Sequence, residues 1–274
     1  SDLTEVTFPI TGACFPIVRS ESSVNIARFV EWVNDIETRG NAGKSINIAI
    51  DCEGYNLGVH PNSLGMVQIG EIFNDSFDVF SARNTQVPQI GQKGGFLLLT
   101  PFSQKVKESL TKVLTHPKVT IFTFDFTGDF ASILEQGVRI NFDRVFDSQV
   151  FNTSPSIRNT KIRGLRWFVN QASMMDPLAN RAQQFIDQTK PLFFNLQVFF
   201  LKDSPHPAQE SITENTIKIG VTDVYFTGLA AIFCIRRNGA NSVIQQTKQK
   251  VREFNQIVAS NKNNILAPSC VRQL

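Results

Sequence analysis

The chain has 274 residues, of which 42% are hydrophobic, and it carries a formal net charge of +3. This length is sufficient for a full hydrophobic core with one accessory element. No stretch approaches the roughly 18 uninterrupted apolar residues that a membrane span needs, so we expect no membrane-spanning segment. The net charge is too small to indicate nucleic-acid binding by itself.

The first half of the chain predicts an extended segment, a helix and then the start of a sheet. Residues 5–20 have an extended pattern, and residues 23–38 have apolar side chains at helical spacing. Three strands are predicted next, at about 45–52, 65–72 and 76–81. Their close succession predicts an antiparallel start to the sheet.

The second half of the chain alternates between helices and strands before it becomes mostly helical. We predict a helix at 105–116, a strand at 118–124 and a helix at 127–137. After residue 148 the pattern is mostly helical, and 241–260 predicts an amphipathic helix that packs on the outside. This order predicts an α/β fold in which a mixed sheet is flanked by helices.

Two acidic residues stand at the end of the first central strand. Asp51 and Glu53, with one residue between them, follow the mostly apolar run 46–50. Because side chains alternate across a strand, both carboxylates point to the same face of the sheet. At about 4 Å apart and an effective dielectric of about 20 they repel by about 4 kcal/mol, which a divalent cation turns into attraction. The pair predicts a metal site, although a strand that runs out into solvent can also carry such acids.

Two further carboxylates lie on patterned segments. Asp129 follows the predicted strand 118–124 and stands near the start of the next predicted helix. Asp223 is the only acid in the apolar helical segment 219–237. A buried helix tolerates a lone carboxylate only when another group pairs with it. We therefore expect Asp51, Glu53, Asp129 and Asp223 to line one pocket.

Several segments, in this order, resemble the DEDD superfamily of 3′-5′ exonucleases. The opening segments 48–58, 64–70 and 77–80 are similar to the branch that includes Egalitarian and the 3′-5′ exonuclease domain-containing proteins. Residues 124–134 look like the second motif of this superfamily. The superfamily also contains ribonuclease D, the Werner-type exonuclease domain and the proofreading exonucleases, and its fold is ribonuclease H-like.

The resemblance continues along the chain and covers roughly residues 45–237. Residues 145–150 are similar to the strand-to-helix step that follows the second motif, and residues 219–223 fall where the third motif belongs. The resemblance implies that the four acids hold two divalent metal ions, Mg or Mn, about 3.5–4 Å apart. It implies a single-stranded nucleic acid as substrate, with RNA favoured over DNA, and release of nucleoside monophosphates from the 3′ end.

The resemblance fails at one position of the third motif. The superfamily places a Tyr four residues before its last Asp, or a His five residues before, to orient or deprotonate the attacking water. Ile219 and Lys218 occupy these positions here. Tyr225 lies two residues past Asp223, so on a helix it projects about 200° around the axis and does not substitute.

The missing side chain leaves two function classes open. In the first, the chain is a metal-dependent 3′-5′ exonuclease, slowed by the absence of the Tyr or His, that functions in RNA processing. In the second, it is a catalytically weakened exonuclease domain that serves as an adapter for RNA or for a protein partner. The four acids favour the enzyme, and Ile219 favours the adapter. An unrelated α/β domain with coincidental acids is a third interpretation.

Four basic residues without an acid among them precede and enter a predicted helix that contains Trp167 and Phe168. Cations bind phosphates, and an aromatic ring can stack on a base, so the cluster is a candidate surface for single-stranded nucleic acid. The alternative is that the two aromatic residues are core and the cations form a solvated rim. The cluster consists of Arg158, Lys161, Arg163 and Arg166.

Two other acids near the motifs are predicted not to be metal ligands. Asp147 stands at the strand-to-helix junction, where an Asp side chain commonly accepts backbone N–H bonds. Asp125 precedes the Asp129 helix, and we expect its side chain to cap that helix in the same way.

The four cysteines show no paired spacing for zinc, and Cys52 and Cys234 lie inside apolar elements, as reduced core thiols do. The first residues lack a signal-peptide layout. We therefore expect an intracellular protein, nuclear or cytoplasmic.

The spacing of the motifs predicts three parts. Residues 1–44 are an N-terminal extension that packs on the domain, 45–237 are the exonuclease domain, and 238–274 are a C-terminal helix and tail. Asp129 and Asp223 are farther apart than a minimal member requires, which predicts an insertion near 172–210. Its phenylalanine-rich part is compatible with a buried helix, a lid or a docking surface.

Overall fold

The structure is a computed structural model of the whole chain. It describes residues 3–8, 10–54, 56–59, 61–71, 73, 77–81, 88–91, 93–151, 163–173, 180–181, 184 and 214–260. The predicted insertion near 172–210 therefore lies almost entirely outside the described residues. The division of the chain into three parts stays a prediction.

The described residues form a seven-stranded mixed sheet with the order β1-β2-β5-β4-β3-β6-β7. The strands are β1 (Glu5–Thr7), β2 (Cys14–Val18), β3 (Ile46–Gly54), β4 (Leu64–Gly70), β5 (Gly95–Leu99), β6 (Val119–Thr123) and β7 (Val145–Asp147). Strands β3, β4 and β5 are antiparallel neighbours, and β6 and β7 run parallel to β3. The carboxyl ends of β3 and β6 consequently meet at one edge of the sheet.

Helices cover both faces of this sheet. They are α1 (Ser23–Asn41), α2 (Gln104–Thr115), α3 (Phe126–Glu135), α4 (Leu165–Ser173), α5 (Glu214–Arg236) and α6 (Ala240–Ser260). Helices α4 and α5 bury apolar side chains against the face that carries Ala49 and Met66. Helices α1, α2, α3 and most of α6 pack on the opposite face, against Ile48 and Ile50. The predicted α/β fold is confirmed.

Most predicted elements are present with small shifts in their bounds, but the prediction of a third strand at 76–81 is wrong. Residues 77–81 form a turn, in which the Asp78 carboxylate accepts the Phe80 N–H and Arg144 forms an ion pair with Asp78. Phe77 is buried because its ring packs on Phe73 and Phe122, not because it alternates along a strand. The third strand of the antiparallel set is β5.

Strand β5 went unpredicted because it has no alternation. Its sequence, Gly-Phe-Leu-Leu-Leu, is buried at every position. A short apolar run that is buried on both faces shows no period that separates a strand from other buried segments.

Candidate metal centre

Strand β3 presents Asp51 and Glu53 on the sheet face that α5 covers. Ala49 lies on this face in the core shared with α5, and the period-two alternation of a strand places the two acids on the same side. Cys52, between them, is buried on the opposite face. A register shift between Glu53 and Gly54 then ends the regular pairing with β4.

Helix α5 brings Asp223 to these acids, and a glycine permits its close approach to the sheet. A Cβ atom at Gly220 would lie 2.9 Å from both the Gln68 Nε2 atom and the Met66 Cε atom. Gly220 precedes Asp223 by three residues, so the two lie on nearly the same face of the helix. The helix packs on β3, β4 and β6 along this face.

Asp129 reaches the site from the first turn of α3, which follows β6. The loop after β3 lies directly on this turn. A Cβ atom at Gly128 would lie 2.7 Å from the Leu57 carbonyl oxygen, and Gly58, with φ +82°, would meet the Gly128 Cα atom at 3.0 Å. The Gly58 N–H donates to the Ser132 hydroxyl over 2.9 Å. Glycine at both positions allows the two backbones to touch.

The structure brings the four predicted carboxylates together. Asp51, Glu53 and Asp223 each place one carboxylate oxygen within 4.8 Å of the others. The Asp129 carboxyl group completes the cluster, since it lies close enough to Asp51 and Glu53 for their charges to raise its pKa.

Burial raises the pKa of all four carboxyl groups, and the charges of neighbouring acids raise it further at Glu53, Asp129 and Asp223. Desolvation raises the pKa of Asp51 to about 6. Desolvation first, and the charges of neighbouring acids second, raise the pKa of Glu53 and of Asp129 well above the usual range. The pKa of Asp223 is also raised well above its usual range by desolvation and by Asp51, while Arg166 opposes this shift.

The donor set fits a divalent cation that prefers oxygen ligands. Four carboxyl groups with raised pKa values form a region of concentrated negative charge when they ionise, and a cation can neutralise that charge. Beside them, the Gln68 Nε2 atom lies 3.4 Å from the Glu53 carboxylate, and the buried Gln68 Oε1 atom has no hydrogen-bond partner. These observations support a metal centre at this position.

Asp147 has the backbone role predicted for it, whereas the predicted role of Asp125 is wrong. The buried Asp147 carboxylate accepts the N–H groups of Asp125, Phe126 and Gln149. Asp125 is the N-cap residue of α3, but its side chain makes no capping bond and its φ is +58°. The Asp147 carboxylate caps the N-terminus of α3 instead, by accepting the N–H groups of Asp125 and Phe126.

Two of the four predicted basic residues, Arg158 and Lys161, lie outside the described residues. Arg166, at the start of α4, is exposed, and its charge acts on Asp223. Arg163 places its guanidinium carbon 5.1 Å from the centre of the Trp167 ring. Of the two aromatic candidates, Trp167 is half-buried, while Phe168 is a core residue packed on Phe233, Phe124 and Phe151.

Tyr225 does not serve the centre, as the helical spacing predicted. It is buried, stacks on Phe8 with ring centres 4.1 Å apart, and donates its hydroxyl to the Lys93 carbonyl oxygen. Ile219 lies in α5 one turn before Asp223.

Two residues near the centre were not predicted from the sequence, although each is a polar residue at a position where the pattern of its element is apolar. Gln68 is the only polar side chain in the otherwise apolar strand β4. Lys250 falls on the apolar face of α6, four residues before Phe254 and seven after Val243, and it is buried. A charged residue at such a position requires a partner.

The strand order β5-β4-β3-β6-β7, in which β4 runs antiparallel to its neighbours and β6 and β7 run parallel to β3, is that of a ribonuclease H-like fold. RNase D of Trypanosoma brucei is similar in structure, with a TM-score of 0.53, 14% identity, and coverage of 89% of this chain and 74% of that one. The resemblance to the DEDD exonucleases is thereby confirmed at the level of the fold.

The catalytic core of RRP6 from Trypanosoma brucei also matches, with a TM-score of 0.43 and 12% identity over 85% of this chain and 51% of that one. No protein-family model and no curated protein matches the sequence. Within the described residues, no helix is both long and apolar enough to cross a membrane. Cys52 and Cys234 are buried free thiols, as predicted.

Proposed function

We propose that this chain is a metal-dependent 3′-5′ exonuclease that removes nucleoside monophosphates from single-stranded nucleic acid. The observation that carries the proposal is the convergence of four carboxylates from β3, α3 and α5 on the carboxyl edge of the sheet. Such a cluster is unfavourable without a cation, which its raised pKa values reflect.

In this proposal Asp51, Glu53, Asp129 and Asp223 hold two divalent ions, Mg²⁺ or Mn²⁺. When bound, these ions lower the pKa of a coordinated water and neutralise charge on the phosphate that is attacked. The four carboxylates would hold the two ions in place. A carboxyl group must lose its proton before it binds a cation, so the raised pKa values make metal affinity depend on pH.

The substrate would approach beside α4. Arg166 is exposed and close enough to Asp223 to lower the pKa of that acid, which is the position needed for a cation that binds the phosphate of the terminal nucleotide. Arg163 and Trp167 offer a cation and a half-buried ring beside it, and Arg158 and Lys161 belong to the same basic cluster. RNA is the proposed substrate, because the similar solved structure is that of an RNase D.

Ile219 supports a second candidate function. Without a side chain to orient the attacking water, the same domain can bind nucleic acid or a protein partner as an adapter while turning over slowly or not at all. The intact set of four acids favours the enzyme, since an adapter has no need for a repulsive cluster that costs stability.

A degradation assay with a 5′-labelled single-stranded RNA tests the two candidates. With Mg²⁺ or Mn²⁺ we expect products that shorten stepwise from the 3′ end, and none with a chelator. Asp223→Ala should abolish the shortening, while Asp143→Ala, at an exposed acid outside the cluster, should leave it unchanged. Retained RNA binding without any shortening at any metal concentration would select the adapter.

A further inference from the structure

Lys250 is a buried cation that the proposed chemistry does not use. It lies on α6 with 6% of its surface exposed. Its Nζ atom is 2.7 Å from an Asp147 oxygen, 3.1 Å from an Asp125 oxygen and 3.2 Å from the Gln149 side-chain oxygen. Burial lowers the pKa of this amine, but the charges of Asp147 and Asp125 outweigh the burial and raise it, so the amine is charged at neutral pH.

The acids that pair with Lys250 control the start of α3. The Asp147 carboxylate accepts the Asp125 N–H over 2.8 Å and the Phe126 N–H over 3.2 Å. These are the unpaired backbone donors at the helix N-terminus that a capping side chain normally satisfies. The Asp125 carboxylate is turned away from this role and binds the Thr127 hydroxyl and Lys250 instead.

Helix α6 thus holds the first turn of α3 through Asp147. The Thr247 hydroxyl accepts the Asp147 N–H over 3.2 Å, and the Lys250 amine lies 5.0 Å from the centre of the Phe126 ring. Phe254, one turn after Lys250, packs edge-on against the same ring, with centres 5.4 Å apart. Helix α6 therefore contacts the start of α3 in three ways: through the Asp147 backbone N–H, through the Phe126 ring and through the Lys250 charge.

The same turn of α3 carries Asp129. It is the fourth residue of the helix, about 4.5 Å along the axis from Phe126. On the other side of the turn, the loop at Gly58 lies in contact with Gly128. The Asp129 carboxylate is consequently held between this loop and the Lys250–Asp147 pair, and a shift of the turn moves it relative to Asp51.

We propose that Lys250 is a positioning residue for the metal centre, acting through Asp147 and the start of α3 to place the Asp129 carboxylate. The inference rests on the proposed function, because it assumes that the centre binds divalent cations. It makes α6 a part of the centre, although no residue of α6 contributes a carboxylate to it. Groups that orient metal ligands commonly change metal affinity by about 10–100-fold when they are removed.

Calorimetric titration with Mn²⁺ tests the proposal without any reliance on nuclease activity. Lys250→Met should weaken Mn²⁺ binding by about tenfold, and Lys250→Arg, which retains a cation, should restore much of the affinity. Lys248→Met, at an exposed position of the same helix, is the matched control and should bind as the unaltered chain does. Equal Mn²⁺ affinity for the Met variant and the unaltered chain would overturn the proposal.

The same substitution in a second variant distinguishes an effect of Lys250 on the position of Asp129 from a general loss of structure. In the Asp129→Asn variant, the carboxylate that Lys250 places is gone, so adding Lys250→Met should not weaken the remaining Mn²⁺ binding further. A full additional tenfold loss in this background would mean that Lys250 acts through the whole fold. Amide hydrogen exchange, measured without metal, should show faster exchange at Asp125 and Phe126 in Lys250→Met, with α1 unchanged.

If Lys250→Met does not fold, because it leaves the buried Asp147 without a cation, Lys250→Met combined with Asp147→Asn removes both charges. Asn has a single side-chain oxygen, so it cannot replace both accepting oxygens of Asp147. The double variant should therefore also weaken Mn²⁺ binding about tenfold, and unchanged binding would overturn the proposal. Absence of Mn²⁺ binding by the unaltered chain is a separate outcome, and it would contradict the proposed function itself.

Discussion

At the scale of single residues, the proposed function depends on the turn of α5 before Asp223. The resemblance to the DEDD exonucleases implies a water-orienting Tyr at position 219, four residues before Asp223. Ile219 has no group that accepts or donates a proton. Tyr225 is committed to the core by its stacking on Phe8 and its bond to the Lys93 carbonyl. The proposed enzyme must work without a side-chain base from either position.

Restoring the superfamily residue at this position should therefore increase activity. General base or acid catalysis is typically worth about 10²–10⁴-fold, so Ile219→Tyr should raise the rate of exonuclease cleavage by a substantial part of that factor. Ile219→Phe, with the same ring but no hydroxyl, is the control and should not raise it. Mn²⁺ affinity should be the same in all three proteins, and the rate of the unaltered chain should rise with pH as hydroxide becomes available.

Fast cleavage by the unaltered chain, with no dependence on pH, would contradict this account. It would mean that a base reaches the centre from another part of the chain. No increase in rate for Ile219→Tyr, in a variant that still binds Mn²⁺ and RNA, would favour the adapter.

At the scale of elements, α4 and α5 form the side of the centre that the substrate would meet. The two helices pack together through an aromatic cluster in which Phe168 and Phe233 have ring centres 5.8 Å apart. Arg166, on α4, is exposed and lies close enough to Asp223 for its charge to lower the pKa of that carboxyl group. Electrostatic binding by such a helix acts on the phosphates of any sequence and weakens with salt.

Replacing the basic cluster with alanine should weaken binding of single-stranded RNA more than it slows the chemical step. The slope of log affinity against log salt should decrease by about 0.7 for each phosphate contact that is lost. The change is measured by a salt titration of the quadruple variant of Arg158, Lys161, Arg163 and Arg166. Arg166→Ala alone should weaken binding, while Arg139→Ala, an exposed arginine beyond the far end of α3, is the matched control. An unchanged salt slope would assign the cluster to an ordinary solvated rim.

At the scale of the whole molecule, the acidic centre affects stability. A carboxyl group whose pKa is raised by folding binds more protons in the folded state than in the unfolded state. Its contribution is fully favourable below its unfolded pKa, near 4, and is lost as pH rises through its folded value, which is about 6 for Asp51. In the absence of metal, the contribution of this centre to the free energy of unfolding should therefore decrease as pH rises. A bound divalent cation should restore that contribution.

The contribution of the centre is isolated by comparison with Asp223→Asn. Without metal, the unaltered chain should become less stable relative to this variant as pH rises from 5 to 8, by up to about 1.4 kcal/mol per pH unit for each proton released. Added Mg²⁺ should raise the unfolding temperature of the unaltered chain more than that of the variant. Asp143→Asn, at an exposed acid, should follow the unaltered chain. The opposite sign of the relative pH dependence would contradict the repulsive centre.

The sequence by itself determined the alternation of elements and the residue types of the centre. Helical and strand periods are local, so α1, α2, α3 and α6 could be predicted from them. The acids Asp51 and Glu53 could be placed on one face of β3, because the alternation of a strand leaves no other choice. Strand β5 could not be predicted, because a run that is buried on both faces has no hydrophobic period. Residues 77–81 were predicted wrongly as a strand, because the apolar residues that pack there as rings have a spacing like that of a strand.

Only the tertiary structure decided which groups act together at the start of α3. Asp125 was expected to cap its own helix, since a cap is normally local in sequence. Asp147, 22 residues later, takes that role because β7 lies beside β6 and aims its carboxylate at the same N–H groups. Lys250, 103 residues after Asp147, completes the arrangement. Pairings over such separations depend on how strands and helices pack, which no local pattern of residues encodes.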